Sequence, residues 1–299
     1  MWGGHSYLGV IATHTLVFPL CCQNVSSDVK LKDSVDFHAF TEQFQRVYQR
    51  VYEVNSDEFN RRHVYLQVRD KNEREARQSA KYGITRFSDF SQKEFRDLFL
   101  RASADGAPVF SGPKTERLPA TFDWRDKAVV APVQNQEAVS CWAVGAIQSV
   151  HAVGGSQLQQ LSVQQVLDCS VQNKGSSMLI FLYKYPYKAK TGICHFFSQS
   201  HGAVAVQNFT AHDFSAQEEA MMGQLVERGP LAAIVDAVSW QDYLRGIIQH
   251  HCSSQRSNHA VLVVGYSAVG DVPYWIGYVY IKIGGNVCGI VDCVAAVFI

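Results

Sequence analysis

The segment 140–147 reads Ser-Cys-Trp-Ala-Val-Gly-Ala-Ile, which places a cysteine directly before an apolar run. Such a run is typical of a buried helix, and this helix would begin at or near Cys141. A thiol at the start of a helix feels the positive end of the helix dipole, which favours the thiolate, the nucleophilic form. Cys141 is therefore a candidate nucleophile for covalent catalysis. The competing interpretation is a buried structural thiol, the commoner role for a cysteine before an apolar helix.

A second segment supplies a candidate partner for Cys141. Residues 258–265 read Asn-His-Ala-Val-Leu-Val-Val-Gly, and the run after the histidine has the length and valine content of a buried strand. A lone histidine at such a place usually packs against its neighbours or caps an element. With a nucleophilic thiol in the same chain, His259 is also a candidate general base.

The charges divide the rest of the chain into three pieces. Residues 1–27 contain no Asp, Glu, Lys or Arg, residues 28–117 contain 32, and the larger remainder, 118–299, contains only 22. Two of the eight cysteines lie in the first piece, none in the second and six in the third. The sequence therefore predicts a leader, a charged helical region and a larger cysteine-containing domain with these boundaries.

The overall composition excludes several classes of partner. The 299 residues are 47% hydrophobic and carry 27 basic and 27 acidic side chains, so the net charge is zero. This balance gives no electrostatic reason to expect nucleic acid or an anionic membrane surface as a partner. No apolar run reaches the roughly 18 residues of a membrane span. We expect a monomer with neither kind of partner and without a membrane span.

Two features of the sequence favour a secretory route. Residues 8–20 are apolar enough for a signal peptide, although no Lys or Arg precedes them, and a disordered or wrongly assigned N-terminus is the alternative. Sequons at Asn24 and Asn208 predict N-glycosylation, but chance sequons are common.

The charged region 28–117 has clear helical signals. Apolar residues recur with helical spacing over 37–51, and a second helical stretch covers about 57–79. Ser91 and Glu94 form a capping-box pattern, which predicts the start of a third helix. Glycines and prolines over 106–113 indicate a linker to the larger domain.

Several short motifs taken together resemble the papain family of cysteine proteases over about residues 36–299. They are Asp123-Trp124-Arg125, Asn135-Gln136, Cys141-Trp142, Asp168-Cys169 and Asn258-His259-Ala260-Val261. The resemblance implies an α+β fold with a helical half that carries Cys141 and a β-rich half that carries His259. It also implies a helical inhibitory propeptide over 28–117, which covers the cleft until it is removed near 112–118. The implied activity is hydrolysis of peptide bonds in proteins and peptides through a thioester, in the lysosome or outside the cell, without a cofactor.

The resemblance assigns roles to individual residues. Cys141 matches the nucleophile, His259 its base and Gln136 the side chain that helps to stabilise the oxyanion. By family position the disulfides are Cys169–Cys194 and Cys252–Cys288, while Cys21, Cys22 and Cys293 remain unassigned. The run His250-His251-Cys252 could suggest zinc, but adjacent histidines rarely converge on one ion, so we expect no metal site.

The sequence departs from the family pattern at three places. Gln136 lies five residues before Cys141, one fewer than usual. The glycine-rich stretch that pairs with substrate after Cys169 is absent. The Asn that orients the catalytic imidazole is also absent, because residues 274–276 run directly into Gly277. The only later asparagine, Asn286, matches a different family segment.

These departures leave three interpretations open. The first is a working protease that is impaired because the orienting asparagine is missing. The second is an inactive homologue that binds peptides or other proteases. The third is an incomplete gene model or splice product of such a protease.

Overall fold

The structure is a computed structural model. It describes residues 37–51, 68, 71–72, 80–100, 102, 106–115, 117–132, 141–169, 178–179, 184–188, 190, 192–195, 203–250, 252 and 257–299.

Five helices have bounds within the described ranges. They are α1 (Phe37–Tyr48), α2 (Gln92–Phe99), α3 (Cys141–Val153), α4 (Val163–Cys169) and α5 (Glu218–Arg228). Short 3₁₀ helices cover Trp124–Lys127, Val238–Asp242 and Val287–Gly289. The start of α2 is fixed by the predicted capping box, in which the Ser91 hydroxyl accepts from the Glu94 amide while the Glu94 carboxylate accepts from the Ser91 amide.

Four antiparallel strands form the sheet that carries His259. Its order is β5-β13-β6-β9, with β5 at Asn208–His212, β13 at Val294–Phe298, β6 at Leu231–Val235 and β9 at His259–Val263. In the pairing of β6 with β9, Val235 lies opposite His259. The histidine therefore stands at the beginning of an edge strand.

A second sheet has five strands, whose positions in the chain alternate with those of the first sheet. Its order is β2-β10-β11-β12-β8, and only the pairing of β12 with β8 is parallel. The strands are β2 (Thr121–Asp123), β8 (Ile247–Ile248), β10 (Gly265–Ser267), β11 (Tyr274–Ile276) and β12 (Tyr280–Lys282). Two small pairs complete the described strands, β1 (Lys81–Tyr82) with β7 (Tyr243–Arg245), and β3 (Met178–Leu179) with β4 (Val204–Ala205).

The buried apolar side chains form two clusters. The larger cluster joins both sheets and includes Leu231, Val263, Trp275 and Val294. It also takes in Tyr82 and Phe95 from the charged N-terminal region, so that region packs on the rest of the molecule. The smaller cluster lies around α3 and α4 and contains Val144, Leu161, Val163 and Val204. Helix-rich and strand-rich parts thus have cores of their own.

Within the described ranges, no helix is both long and apolar enough to cross a membrane.

Candidate active site

The two candidate catalytic residues begin two elements that pack on each other. Cys141 is the first residue of α3, and His259 is the first residue of β9. Helix α3 contacts β9, β6 and β13. Gly145 makes this approach close, because a Cβ atom at that position would lie 3.3 Å from the Leu262 side chain. The side chain of Cys141 itself is outside the described part of the structure.

The His259 ring is half-buried. The Trp240 ring lies edge to face with it, with ring centroids 6.2 Å apart and ring planes at 85°. Within the described part of the chain, no group forms a hydrogen bond with the imidazole. Burial lowers the pKa of His259 from 6.5 to about 4. The ring is therefore neutral at mildly acidic and neutral pH, and it is a weak base.

The turn that replaces the orienting segment has no amide side chain. Strands β11 and β12 are joined by residues 277–279, and the Gly277 amide donates to the Val279 carbonyl at 3.1 Å. The turn lies against β9, since a Cβ atom at Gly277 would be 3.0 Å from the Leu262 carbonyl oxygen. Glycine, tyrosine and valine occupy this turn, so it supplies no side-chain carboxamide to hold an imidazole.

The two asparagines nearest in sequence to the turn 277–279 form hydrogen bonds with other groups. The side-chain nitrogen of Asn258 donates to the Asp236 carboxylate at 2.8 Å, and its side-chain oxygen accepts from the Ala237 backbone amide at 3.0 Å. The Asn286 side chain donates to Asp292 and accepts from the Val291 amide. Asn286 therefore stabilises its own loop, and neither residue replaces the missing orienting group.

Part of the N-terminal region lies on the 3₁₀ helix Val238–Asp242, the element that carries Trp240. The Thr85 hydroxyl donates to the Gln241 carbonyl at 2.6 Å, and the Gln241 side chain donates to two carbonyls in the turn before α2. Lys71 forms an ion pair with the buried Asp242 at 3.3 Å. Burial raises the pKa of Asp242, and the Lys71 ammonium opposes this effect. Sequence reasoning missed Trp240 and Asp242, because no local pattern shows which long-range partners they have.

Asp168 organises the shortened part of the chain after α4. Its carboxylate accepts from the Gly192 amide at 2.6 Å, the Tyr185 hydroxyl at 2.8 Å and the Gln164 side chain at 2.8 Å. Burial alone would raise the pKa of Asp168, but these donors outweigh burial and hold it below its ordinary value. The adjacent Cys169 is bonded to Cys194. Together these contacts fix the ends of the region in which the family motif is missing.

Some of the remaining predicted residues are described by the structure, and others lie outside the described ranges. The second disulfide joins Cys252 and Cys288, so both bonds are the pairs that the resemblance implied. Asn208 is exposed at the start of β5. Gln136, Asn24, the leader and most of the helical stretch 57–79 lie outside the described residues. Among the described residues, no group of three or more His, Cys, Asp or Glu side chains could hold a metal ion.

Comparison with known proteins identifies the family. The sequence profile described as papain family cysteine protease matches residues 118–297. The chain belongs to the papain family. By family it is a cysteine-type peptidase. It is 44% identical to cathepsin O of Homo sapiens over 258 residues, which covers 74% of this chain and 80% of the relative. Cathepsin O of Mus musculus is also 44% identical, and 83% of that protein is covered.

Solved structures of precursor forms have the same fold. The recombinant stem bromelain precursor superposes with a TM-score of 0.73 at 25% identity, covering 88% of this chain and 99% of that one. Digestive procathepsin L 3 from Tenebrio molitor larval midgut gives 0.71 at 24% identity, covering 89% and 100%. The predicted α+β papain-like fold with a helical N-terminal region is thereby confirmed.

The match to cathepsin O of Homo sapiens also contains internal gaps. It extends over 258 positions but takes up only 74% of a chain of 299 residues. The relative therefore has residues within the matched region that this chain lacks, in agreement with the departures found in the sequence.

Proposed function

We propose that the chain is a cathepsin O-like endopeptidase of the lysosome or secretory pathway that hydrolyses peptide bonds through Cys141 and His259, with reduced activity. The observation that carries this proposal is the packing of α3 on β9, because Cys141 and His259 are the first residues of these two elements.

In the reaction, the Cys141 thiolate attacks the peptide carbonyl and forms a thioester, while His259 delivers a proton to the departing amine. Water then attacks the thioester with His259 as the base. The Gln136 side chain would donate a hydrogen bond to the negatively charged oxygen that develops on the peptide carbonyl when the thiolate attacks.

The environment of His259 supports the reduced activity. A thiolate next to a protonated imidazole is favourable only if the imidazole holds a proton at the working pH. Burial opposes this, because it lowers the pKa of His259 to about 4. The turn 277–279 offers no side-chain amide to hold the ring in one tautomer and orientation. In a serine-protease triad, changing the orienting residue costs about 10⁴-fold in turnover. The loss should be smaller here, roughly 10–10³-fold, because a thiol is intrinsically the stronger nucleophile.

The region 28–117 is proposed to be the inhibitory propeptide of this enzyme. Its docking on Val238–Asp242 and the pairing of β1 with β7 support this role. In this form the chain is a monomeric zymogen with a glycan on Asn208. Cleavage near 112–118 would remove the inhibitory region and release the active enzyme. The signal peptide and the sequon at Asn24 belong to the same secretory interpretation.

An inactive homologue that binds peptides or proteases is the second candidate function. The specific observation in its favour is that His259 has no hydrogen-bonding partner among the described residues. A third explanation is a transcript that lacks coding sequence, since the cathepsin O match contains internal gaps. Transcript sequencing across 173–185 and 276–278 would test that explanation.

Labelling of Cys141 tests the proposed chemistry. A thiol-directed epoxide should alkylate Cys141 slowly in the processed wild-type chain, not at all in Cys141→Ala, and more slowly in His259→Gln. Mass spectrometry of the labelled peptide gives the site and the rate. Equal rates in the wild type and His259→Gln would exclude His259 as the base and would favour the binding function.

A further inference from the structure

The linker 106–115 is bound to the surface as a short extended segment. Val109 forms a parallel bridge with Asp213, which follows β5. The Phe110 amide donates to the Asp213 carbonyl at 2.9 Å, and the Asp213 amide donates to the Pro108 carbonyl at 2.9 Å. These two hydrogen bonds use only backbone atoms, which is how a sheet edge takes up an extended peptide.

The side chain of Phe110 packs into the larger apolar cluster at the edge of the four-stranded sheet. The ring stacks on Phe214 with centroids 4.7 Å apart, and it meets the His212 ring edge to face at 5.4 Å. Phe110 is 7% exposed, whereas the neighbouring Val109 is 65% exposed. The Gln217 side chain donates to the Phe110 carbonyl at 2.9 Å. This combination of an aromatic pocket, a side-chain donor and a paired backbone selects an aromatic residue in an extended peptide.

The chain also closes over the ring. A Cβ atom at Gly112 would lie 2.5 Å from Cζ of Phe110, so the residue after next must be small for this path. The segment thus contacts the site both before Phe110, through the Pro108 carbonyl, and after it, where Gly112 passes close to the ring.

The pocket is separate from the candidate active site. His212 pairs with Val294, Val294 pairs with Ala233, and Ala233 pairs with Val261. This row crosses the whole four-stranded sheet from β5 to β9. Three strand spacings amount to about 14 Å, so the pocket and the strand of His259 lie at opposite edges.

We propose that His212, Asp213, Phe214 and Gln217 form a second peptide-binding site that takes an extended segment with an aromatic side chain. In this chain Phe110 occupies the site in cis. When the N-terminal region is cut from the larger domain, the site retains that region, and once the region leaves, an aromatic residue of another extended peptide takes its place.

A cleavable full-length chain tests the retention. The recognition sequence of a site-specific protease is inserted after residue 116 in a Cys141→Ser background, so that the chain's own catalysis plays no part. After cleavage, native mass spectrometry follows the dissociation of the N-terminal fragment. Phe110→Ala should release this fragment at least about tenfold faster than the parent, as expected for loss of a buried aromatic anchor. Val109→Ala, which changes the exposed neighbour, should release it at the parent rate.

The same rate for Phe110→Ala and Val109→Ala would overturn the proposal. Circular dichroism before cleavage shows whether Phe110→Ala has folded. If it has not, Gln217→Ala is the test variant, since it removes only a half-buried side-chain donor. Faster release from Gln217→Ala then supports the site, and an unchanged rate contradicts it.

A labelled peptide of residues 106–113 tests binding in trans. Fluorescence anisotropy should show binding to the uncut Phe110→Ala chain, whose pocket has lost its ring, at least tenfold tighter than to the wild type. The same peptide with alanine in place of its phenylalanine should bind neither chain. Equal binding of the two peptides, or equal binding to the two chains, would contradict the assignment. Neither experiment depends on peptidase activity. The proposed peptidase function can therefore be disproved without affecting the test of the second peptide-binding site.

Discussion

His259 is held by an aromatic contact rather than by a polar anchor. Trp240 lies edge to face with it, and the short turn 277–279 leaves the space nearby without a carboxamide. The indole N–H of Trp240 forms no hydrogen bond, so this contact cannot select which imidazole nitrogen carries the proton. Burial accounts for the low pKa of the ring, and the contact with Trp240 does not supply the orientation that the proposed catalysis needs.

Replacing Trp240 should raise the pKa of His259. In Trp240→Ala the ring gains access to water, so its pKa should move from about 4 toward the ordinary value of 6.5. Trp240→Phe keeps an aromatic neighbour and should leave the pKa low. NMR titration of histidine-labelled protein, with His259→Gln to assign the signal, measures the shift. An unchanged pKa in a folded Trp240→Ala chain would show that Trp240 does not exclude water from the ring.

His259 should also make stability depend on pH. Because its folded-state pKa of about 4 lies below the unfolded value of 6.5, the unfolded chain binds the proton first as the pH falls. The stabilisation is complete above pH 6.5 and is lost progressively toward pH 4, on the order of 3 kcal/mol in total. Urea unfolding at pH 7.5 and 4.5 should show a larger loss for the wild type than for His259→Gln. Equal losses would count against a buried neutral imidazole.

Among the elements, the 3₁₀ helix Val238–Asp242 connects the N-terminal region with the candidate site. It presents Trp240 to His259, while Gln241 and Asp242 bind groups from the N-terminal region. Docking of that region thus stabilises the element that contacts the candidate catalytic imidazole. The buried ion pair between Lys71 and Asp242 is the contact in this interface that is most sensitive to substitution, because a buried carboxylate without its partner is costly.

Removal of Lys71 should destabilise the full-length chain more than removal of both charges. Lys71→Met leaves Asp242 buried without its cation, which should cost about 3–5 kcal/mol. The double variant Lys71→Met with Asp242→Asn has no charge to bury and should recover most of that loss. Urea unfolding of the full-length proteins measures both. A double variant that is at least as unstable as Lys71→Met would contradict the importance of the pair.

Local sequence signals predicted only part of these elements. The capping box at Ser91 and the helix that begins at Cys141 could be predicted, because each depends on residues within one or two turns. The role of Asp168 could not, since its carboxylate is satisfied by Gly192 and Tyr185 from a later segment. The contact between Trp240 and His259 depends in the same way on how distant segments fold together.

At the scale of the whole molecule, the family fold tolerates the shortened segments. The two sheets and both disulfides form although the alignment with cathepsin O contains gaps. The resemblance predicted this fold because the motifs within the described residues lie on elements that pack against the cores. The tight connection of β11 to β12 could not be predicted from those motifs, because it replaces the segment that normally supplies the orienting asparagine.

Turnover relative to cathepsin O of Homo sapiens tests the central claim most directly. The processed chain and processed cathepsin O are assayed for kcat/KM on the same dipeptide substrates at matched pH, with active sites titrated by a thiol-directed epoxide. We expect labelling of Cys141 and a kcat/KM roughly 10–10³-fold below that of the relative, because His259 lacks its orienting partner. A kcat/KM equal to that of cathepsin O would contradict the claim and would mean that another group orients His259.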